Sequence, residues 1–169
     1  MRKYVAISAF ALCSIFVLAY IFAFSASNIQ AEKPQEKKSQ LKPGIYKAEY
    51  DKADFRGWKA FFSMEVDAAG EIKSSSFDYI NQSGQLKTRD TEYNNKMKSK
   101  SGLGPSEYCP RFAKNLQVYQ DPNQIDAITG ATMSSRDFKT FAHAAFNSAK
   151  TGDLSTVYIQ QPETAGSNK

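Results

Sequence analysis

The polar and apolar positions divide the chain into three regimes. From Tyr4 to Phe24 no residue carries a charge, and most are Ala, Val, Ile, Leu, Phe or Tyr. Residues 27–42 are polar, contain Pro34 and follow no hydrophobic period, as expected of a flexible linker. Beyond them periodicity sets in. Ile45 to Tyr50 reads as a first strand. Between Lys59 and Asp67, Ala60, Phe62, Met64 and Val66 recur at every second position, which predicts another strand. Ala68-Ala69-Gly70 then connects to a strand over Glu71 to Ile80, and the pair predicts a β-hairpin. Asn81-Gln82-Ser83-Gly84 is a further turn signal, with a short strand expected at Gln85 to Thr88.

After this point the period changes. Asp90 to Lys100 lacks alternation, is rich in helix formers and runs into Ser101-Gly102, a helix stop. Ser106 is placed to cap a second helix with Tyr108, Phe112, Leu116 and Tyr119 on one stripe. Pro110 is tolerable in its first turn, and Asp121-Pro122-Asn123 ends it. A third helix starting at Ser134 or Ser135 carries Phe138, Phe141, Ala142, Ala145 and Ala149 along one side, with Gly152 as its C-terminal cap. Ser155 to Gln160 reads as a last short strand. Strands first and helices later predict an α+β fold, a small antiparallel sheet packed with about three helices. The expected divisions are a membrane anchor or signal segment (1–26), a linker (27–42), one domain (43–160) and a polar tail (161–169).

Composition narrows the options. With 41% hydrophobic and 13% aromatic residues, the chain is not disordered throughout. Of the net charge of +5, +3 resides in residues 1–40, so the domain is nearly balanced. That argues against a nucleic-acid reader, and Lys96, Lys98 and Lys100 read as a solvated helix face. Arg2-Lys3 before 21 uncharged residues matches an amino-terminal anchor, since about 20 helical residues span a bilayer core. Ala23-Phe24-Ser25-Ala26 leaves a cleaved signal open, and Cys13 a lipidated one, although Leu12 stands where a small residue belongs. Each option places the domain outside the cytoplasm, and the anchor holds it at the cell membrane, facing the extracytoplasmic side. Cys109, alone in that domain, reads as a small buried hydrophobe.

The segment with chemical promise is Asp126-Ala127-Ile128-Thr129-Gly130-Ala131-Thr132-Met133-Ser134-Ser135. Small residues and a glycine lead into a helix whose start resembles a capping box, Ser134 with Asp137. Helix amino-termini present free N–H groups and a positive dipole end, which favour a phosphate. Gly130 admits close backbone approach, and Thr129, Thr132, Ser134 and Ser135 supply hydroxyls. An ordinary capped helix after a tight turn explains the same features.

The order of residues goes further. Asp126, Thr129, Gly130, Ala131 and Thr132, with Ser134 beyond, closely resemble the motif of FMN-binding domains that carry covalent flavin. Such domains occur in subunits of sodium-pumping and related membrane redox complexes and in exported flavoproteins of Gram-positive bacteria. Further likeness to an extracellular electron-transfer flavoprotein lies in Tyr50-Asp51 with Gly57-Trp58-Lys59-Ala60-Phe61, and in Phe77-Asp78-Tyr79 with Gly84. It continues in Tyr93-Asn94 and from Lys100-Ser101-Gly102 to Gly104-Pro105-x-Glu107-Tyr108, so that it covers roughly residues 43–153. The resemblance implies that an extracytoplasmic, Mg²⁺-dependent flavin transferase takes FMN from FAD and joins its phosphate to Thr132. Asp126 would serve motif recognition during attachment. Trp58, Phe62, Tyr79, Leu103 and Gly104 are candidates to flank the isoalloxazine ring, with core packing as the alternative for each aromatic.

Other constellations are weak. His143 is the single histidine, among alanines, so neither a metal site nor a Ser–His–Asp triad is expected. Asp51, Asp54, Glu65 and Asp67 read as solvated. The expectation is a membrane-tethered redox carrier, rather than a stand-alone enzyme, between a membrane donor such as a quinol-linked dehydrogenase and an external acceptor. A non-covalent module that holds a phosphate-bearing ligand, or serves an envelope complex, is the alternative.

Overall fold

The computed structural model of the chain describes residues 41–163. The expected anchor or signal segment, most of the linker and the end of the tail lie outside the described residues. Among the described residues four strands form one sheet: β1 (Gly44–Tyr50), β2 (Lys59–Val66), β3 (Ile72–Ile80) and β4 (Val157–Ile159), in the order β3-β2-β1-β4. The helices are α1 (Thr91–Ser101), α2 (Pro105–Tyr119) and α3 (Thr132–Thr151). β2 runs antiparallel to both β1 and β3, with Phe62 opposite both Ala48 and Phe77. β4 departs from the antiparallel expectation: it runs parallel to β1, Ala48 facing Val157, because α3 returns the chain to the sheet in the direction of β1.

One sheet face is apolar. Tyr46, Ala48 and Tyr50 on β1 and Ala60, Phe62, Met64 and Val66 on β2 are all buried, as a period of two demands. α2 lies on β3, and α3 on β1 and β2. The α3 stripe of Phe138, Phe141, Ala142, Ala145 and Ala149 is completely buried; its alanines let the helix axis approach the strands. Phe112 and Phe138 stack with centroids 4.9 Å apart, and Phe77 meets Phe138 edge-on at 5.5 Å. Each buried phenylalanine contributes roughly 1.5–3 kcal/mol of transfer free energy. Cys109 sits in this core as a free, fully buried thiol, and burial pushes its pKa upward.

Several boundaries shift for identifiable reasons. Leu41 and Lys42, read as linker, already belong to the fold: Leu41 is buried and the Lys42 N–H donates to the Ala149 carbonyl at 2.8 Å. The strand expected at Gln85 to Thr88 reduces to one bridge, Leu86 with Ile80, followed by a 3-10 turn over Lys87–Arg89. α1 is capped by Asp90, whose carboxylate accepts from Tyr93 N–H at 2.9 Å. α2 is capped at Gly104 rather than Ser106, which puts Pro110 inside the helix. The Glu107 carboxylate accepts from Gly104 N–H at 2.9 Å, and Asn94 Oδ1 accepts from Ser106 N–H at 2.7 Å. Asn94 thus supplies from α1 the cap that Ser106 was expected to provide. Tyr119, placed on the buried stripe, is exposed at the helix end.

Candidate functional site

α3 begins at Thr132, ahead of the expected start at Ser134 or Ser135. Its hydrogen-bond ladder opens with Ser135 N–H donating to the Ala131 carbonyl at 2.8 Å, so the N–H groups of Thr132, Met133 and Ser134 stand outside it. Ala131 holds the cap position and offers no side-chain acceptor. The expected capping box does not form, because Ser134 and Asp137 are buried within the helix and Asp137 serves other partners. An uncapped helix start carries a positive end that stabilises an anion.

The preceding turn is held tightly. Gly130 has φ +83°, and a Cβ there would collide with the Ser101 carbonyl oxygen at the end of α1. Glycine is therefore required both by conformation and by space. Ser135 Oγ donates to the Ala131 carbonyl at 2.9 Å and accepts from Ile128 N–H at 3.1 Å, which stitches the motif loop to the helix.

A cleft of about 580 Å³ opens at this helix start. Its exposed rim carries Phe55, Arg56, Thr132, Met133 and Arg136; its buried floor carries Tyr79, Lys87, Tyr108, Ala131, Ser134 and Asp137. Tyr93, Met97, Gly130 and Gln161 complete the sides. Asp54, expected to be merely solvated, shapes the rim: its Oδ1 accepts from the N–H groups of Arg56 and Trp58, each at 2.9 Å. The Arg56 guanidinium lies over the Phe55 ring at 4.8 Å.

Two arrangements organise the floor. Asp137 accepts from the Tyr50 hydroxyl at 2.8 Å and from the Tyr79 hydroxyl at 3.0 Å. Burial raises the Asp137 pKa from its ordinary 3.8, against the downward pull of those two bonds and of the Arg136 and Lys87 charges. Burial also pushes the Tyr50, Tyr79 and Tyr108 phenols upward, so all three stay neutral and Tyr50 and Tyr79 remain donors to Asp137. The second arrangement is Lys87, only 5% exposed. Its ammonium lies 4.0 Å from the Tyr79 ring centroid, 4.8 Å from Tyr93 and 5.6 Å from Trp58.

The cleft brings together Gly130, Ala131, Thr132 and Ser134 from the motif, and Tyr79 from the ring candidates. Asp126 and Thr129 are exposed on the loop before it, and Ser135 faces inward. Trp58 stands behind Lys87, while Phe62 packs in the core 5.7 Å from Phe138. Leu103 packs against the core, and Gly104 caps α2, so neither lines the cleft. Sequence reasoning missed Arg56, Lys87, Tyr108, Asp137 and Gln161. Asp137 was legible as a polar residue within an apolar stripe, whereas nothing in the local pattern marks Lys87.

These features define an α+β domain with a cofactor-sized cleft, within the usual span of roughly 300–1,000 Å³ for such sites. A family model for the FMN-binding domain matches residues 56–147. The chain is 32% identical over 119 residues to the 15 kDa lipoprotein of Treponema pallidum (strain Nichols), across 70% of this chain and 84% of that protein. A crystal structure of a Clostridium perfringens protein superposes with a TM-score of 0.68 at 37% identity, across 72% of this chain and 99% of the other. The chain belongs to the FMN-binding domain family.

The residues present fit that cofactor. Among the described residues Gln161 Oε1 is buried without a hydrogen-bond partner, an acceptor that the imide N–H of a flavin ring would satisfy. Among the described residues no carboxylate pairs with Lys87. The rim offers a hydroxyl, Thr132, beside free helix N–H groups for the phosphate, and the floor offers aromatic faces for the ring.

Proposed function

We propose that this chain is an exported flavoprotein, tethered at the outer face of the cell membrane, that carries FMN on Thr132 through a phosphoester and passes electrons in extracytoplasmic transfer. The observation that carries the reading is the exposed Thr132 hydroxyl, set on the first residue of an uncapped helix at the rim of the cleft. In attachment, the Thr132 oxygen forms a bond to the FMN phosphorus of FAD and the pyrophosphate P–O bond breaks. AMP leaves with the electron pair, and the hydroxyl proton passes to a base of the transferase. The N–H groups of Met133 and Ser134 stabilise the phosphate before and after the step. Asp126, exposed six residues upstream, is accessible to the transferase while the cleft fills.

Bound flavin supplies the redox chemistry; the protein holds, shields and tunes it. Tyr79 and Tyr108 form apolar walls, Asp137 fixes the Tyr79 hydroxyl, and Phe55 and Met133 cover the rim. A covalent bond prevents loss of a cofactor that is not replenished outside the cell. The apolar segment Tyr4 to Phe24 would supply the tether, and the lipoprotein relative supports an envelope location. A quinol-linked dehydrogenase or another flavoprotein would be the donor; metal ions, soluble flavins or a partner reductase would be the acceptor.

The test is direct. Full-length chain co-expressed with a flavin transferase should give a flavin-fluorescent band on a denaturing gel, and Thr132→Ala should give none. Fluorescence undiminished in Thr132→Ala, or absent from wild type, would refute covalent attachment. Flavin that co-purifies but is lost on denaturation would point instead to a non-covalent module.

A further inference from the structure

Lys87 has no evident use in the apoprotein. It belongs to the short turn after β3, it is 5% exposed, and its ammonium faces three aromatic rings. Among the described residues no acceptor lies within hydrogen-bond distance of its Nζ, and the ion pairs are Lys59–Glu49, Lys73–Glu65 and Lys98–Glu107. The carboxylates of Asp78 and Asp137 accept hydrogen bonds from other groups and not from Lys87. Asp78 accepts from Thr88 Oγ1 at 2.5 Å and from Tyr79 N–H at 2.8 Å, and Asp137 accepts from two phenols. Ring faces attract a cation but form no ion pair with it, and the Asp137 charge acts on it without direct contact. Among the described residues the Lys87 ammonium has no direct ion pair, so a cleft that places it on the floor is complementary to negative charge brought by the occupant.

Two negative charges are available on the proposed occupant. The phosphate is one, but Thr132 fixes it at the exposed rim, next to Arg136 and the helix N–H groups. The ring system is the other. Uptake of two electrons and one proton leaves it with one net negative charge, gathered at its pyrimidine end. That end also bears the single imide N–H, the partner that the orphaned Gln161 Oε1 lacks. A cation and an unpaired acceptor line the same cleft as Thr132, and the pyrimidine end is the part of the occupant that complements both.

We infer that Lys87 is the cation that compensates the negative charge gained by the flavin ring on reduction, and that it thereby raises the reduction potential of the bound cofactor. The inference rests on the flavin reading above and adds to it the direction in which this chain tunes the ring. The aromatic cage is part of the device: Trp58, Tyr79 and Tyr93 hold the ammonium without neutralising it.

The experiment uses full-length chain loaded by co-expression, with the fluorescent gel band as the check on the earlier reading. Spectroelectrochemical titration of the flavin-bearing fraction compares wild type with Lys87→Met and Lys87→Arg. The electrode supplies the electrons. Lys87→Met should shift the equilibrium at least tenfold toward the oxidised ring, a fall of about 30 mV for a two-electron couple. Lys87→Arg, which keeps the charge, should stay closer to wild type. A second measurement needs only wild type: sulfite forms a bond from sulfur to the central ring nitrogen and leaves negative charge on the same pyrimidine end. Wild-type protein should bind sulfite at least tenfold more tightly than free FMN. An unchanged potential in Lys87→Met overturns the inference, and so does sulfite affinity no greater than that of free FMN, even where the variant is poorly loaded. Wild type without flavin overturns the earlier reading instead.

Discussion

Replacement of Gly130 by alanine places a methyl group against the Ser101 carbonyl oxygen and asks an L-residue to hold φ near +83°. The left-handed conformation alone costs about 1–2 kcal/mol. The collision adds to this, because its partner is backbone at the end of α1 and not the tip of a flexible side chain. Overpacking of that kind costs about 1–3 kcal/mol. Gly102 provides the control: its φ is +81°, nearly the same, but a Cβ there meets nothing within 4 Å. Gly102→Ala should therefore lose only the conformational part, and Gly130→Ala should exceed it by about 1–3 kcal/mol. Urea unfolding followed through Trp58, the single tryptophan and a buried one, measures both variants against wild type. The shift should lie in the midpoint with the slope unchanged. If Gly130→Ala falls within about 0.5 kcal/mol of Gly102→Ala, the close approach of α1 to the motif turn is wrong. Co-expressed with a transferase, Gly130→Ala should also carry less flavin, since the turn that presents Thr132 would have moved.

Asn94→Ala removes an amide that donates to the carbonyls of Lys87, Thr88 and Asp90 and caps α2 at Ser106. It should destabilise the apoprotein by about 2–4 kcal/mol in the same urea assay, and a loss below about 1 kcal/mol would contradict the network. Asp137 sets a pH dependence of definite sign. Its raised pKa means that the folded state binds its proton more tightly than the unfolded state, so its stability contribution is full below 3.8 and declines as pH rises through the raised value. Glu107 and Asp153, whose values are lowered, act in the opposite sense, so the wild-type profile minus that of Asp137→Asn isolates the group. A difference that does not decline with rising pH would overturn the assignment.

Much of the fold was legible because burial imposes a period. Every second residue from Ala60 to Val66 faces the helices, and Phe138, Phe141, Ala142, Ala145 and Ala149 repeat as one face of α3. Caps were less legible, because a cap is a competition among nearby polar groups. Ser106 and Ser134 both have the right chemistry, but Asn94 reaches Ser106 N–H from a neighbouring helix. Two phenols on separate strands claim Asp137. The motif turn was visible in Gly130 and Thr132, while its rigidity came from contacts that no local pattern encodes, Ser101 behind the glycine and Ser135 across the loop.

The linear order of residues thus settled the strand and helix periods, the glycine turn and the hydroxyl that the motif presents, since each depends on neighbours within a few positions. The cleft floor is different. Lys87 lies between Trp58, Tyr79 and Tyr93, which come from the residue before β2, from β3 and from α1, while its local sequence reads only as part of a short strand after a turn. Folding makes that lysine a buried side chain whose ammonium has no direct ion pair among the described residues, because charge in a protein acquires its energy from what surrounds it in space and not from its neighbours along the chain.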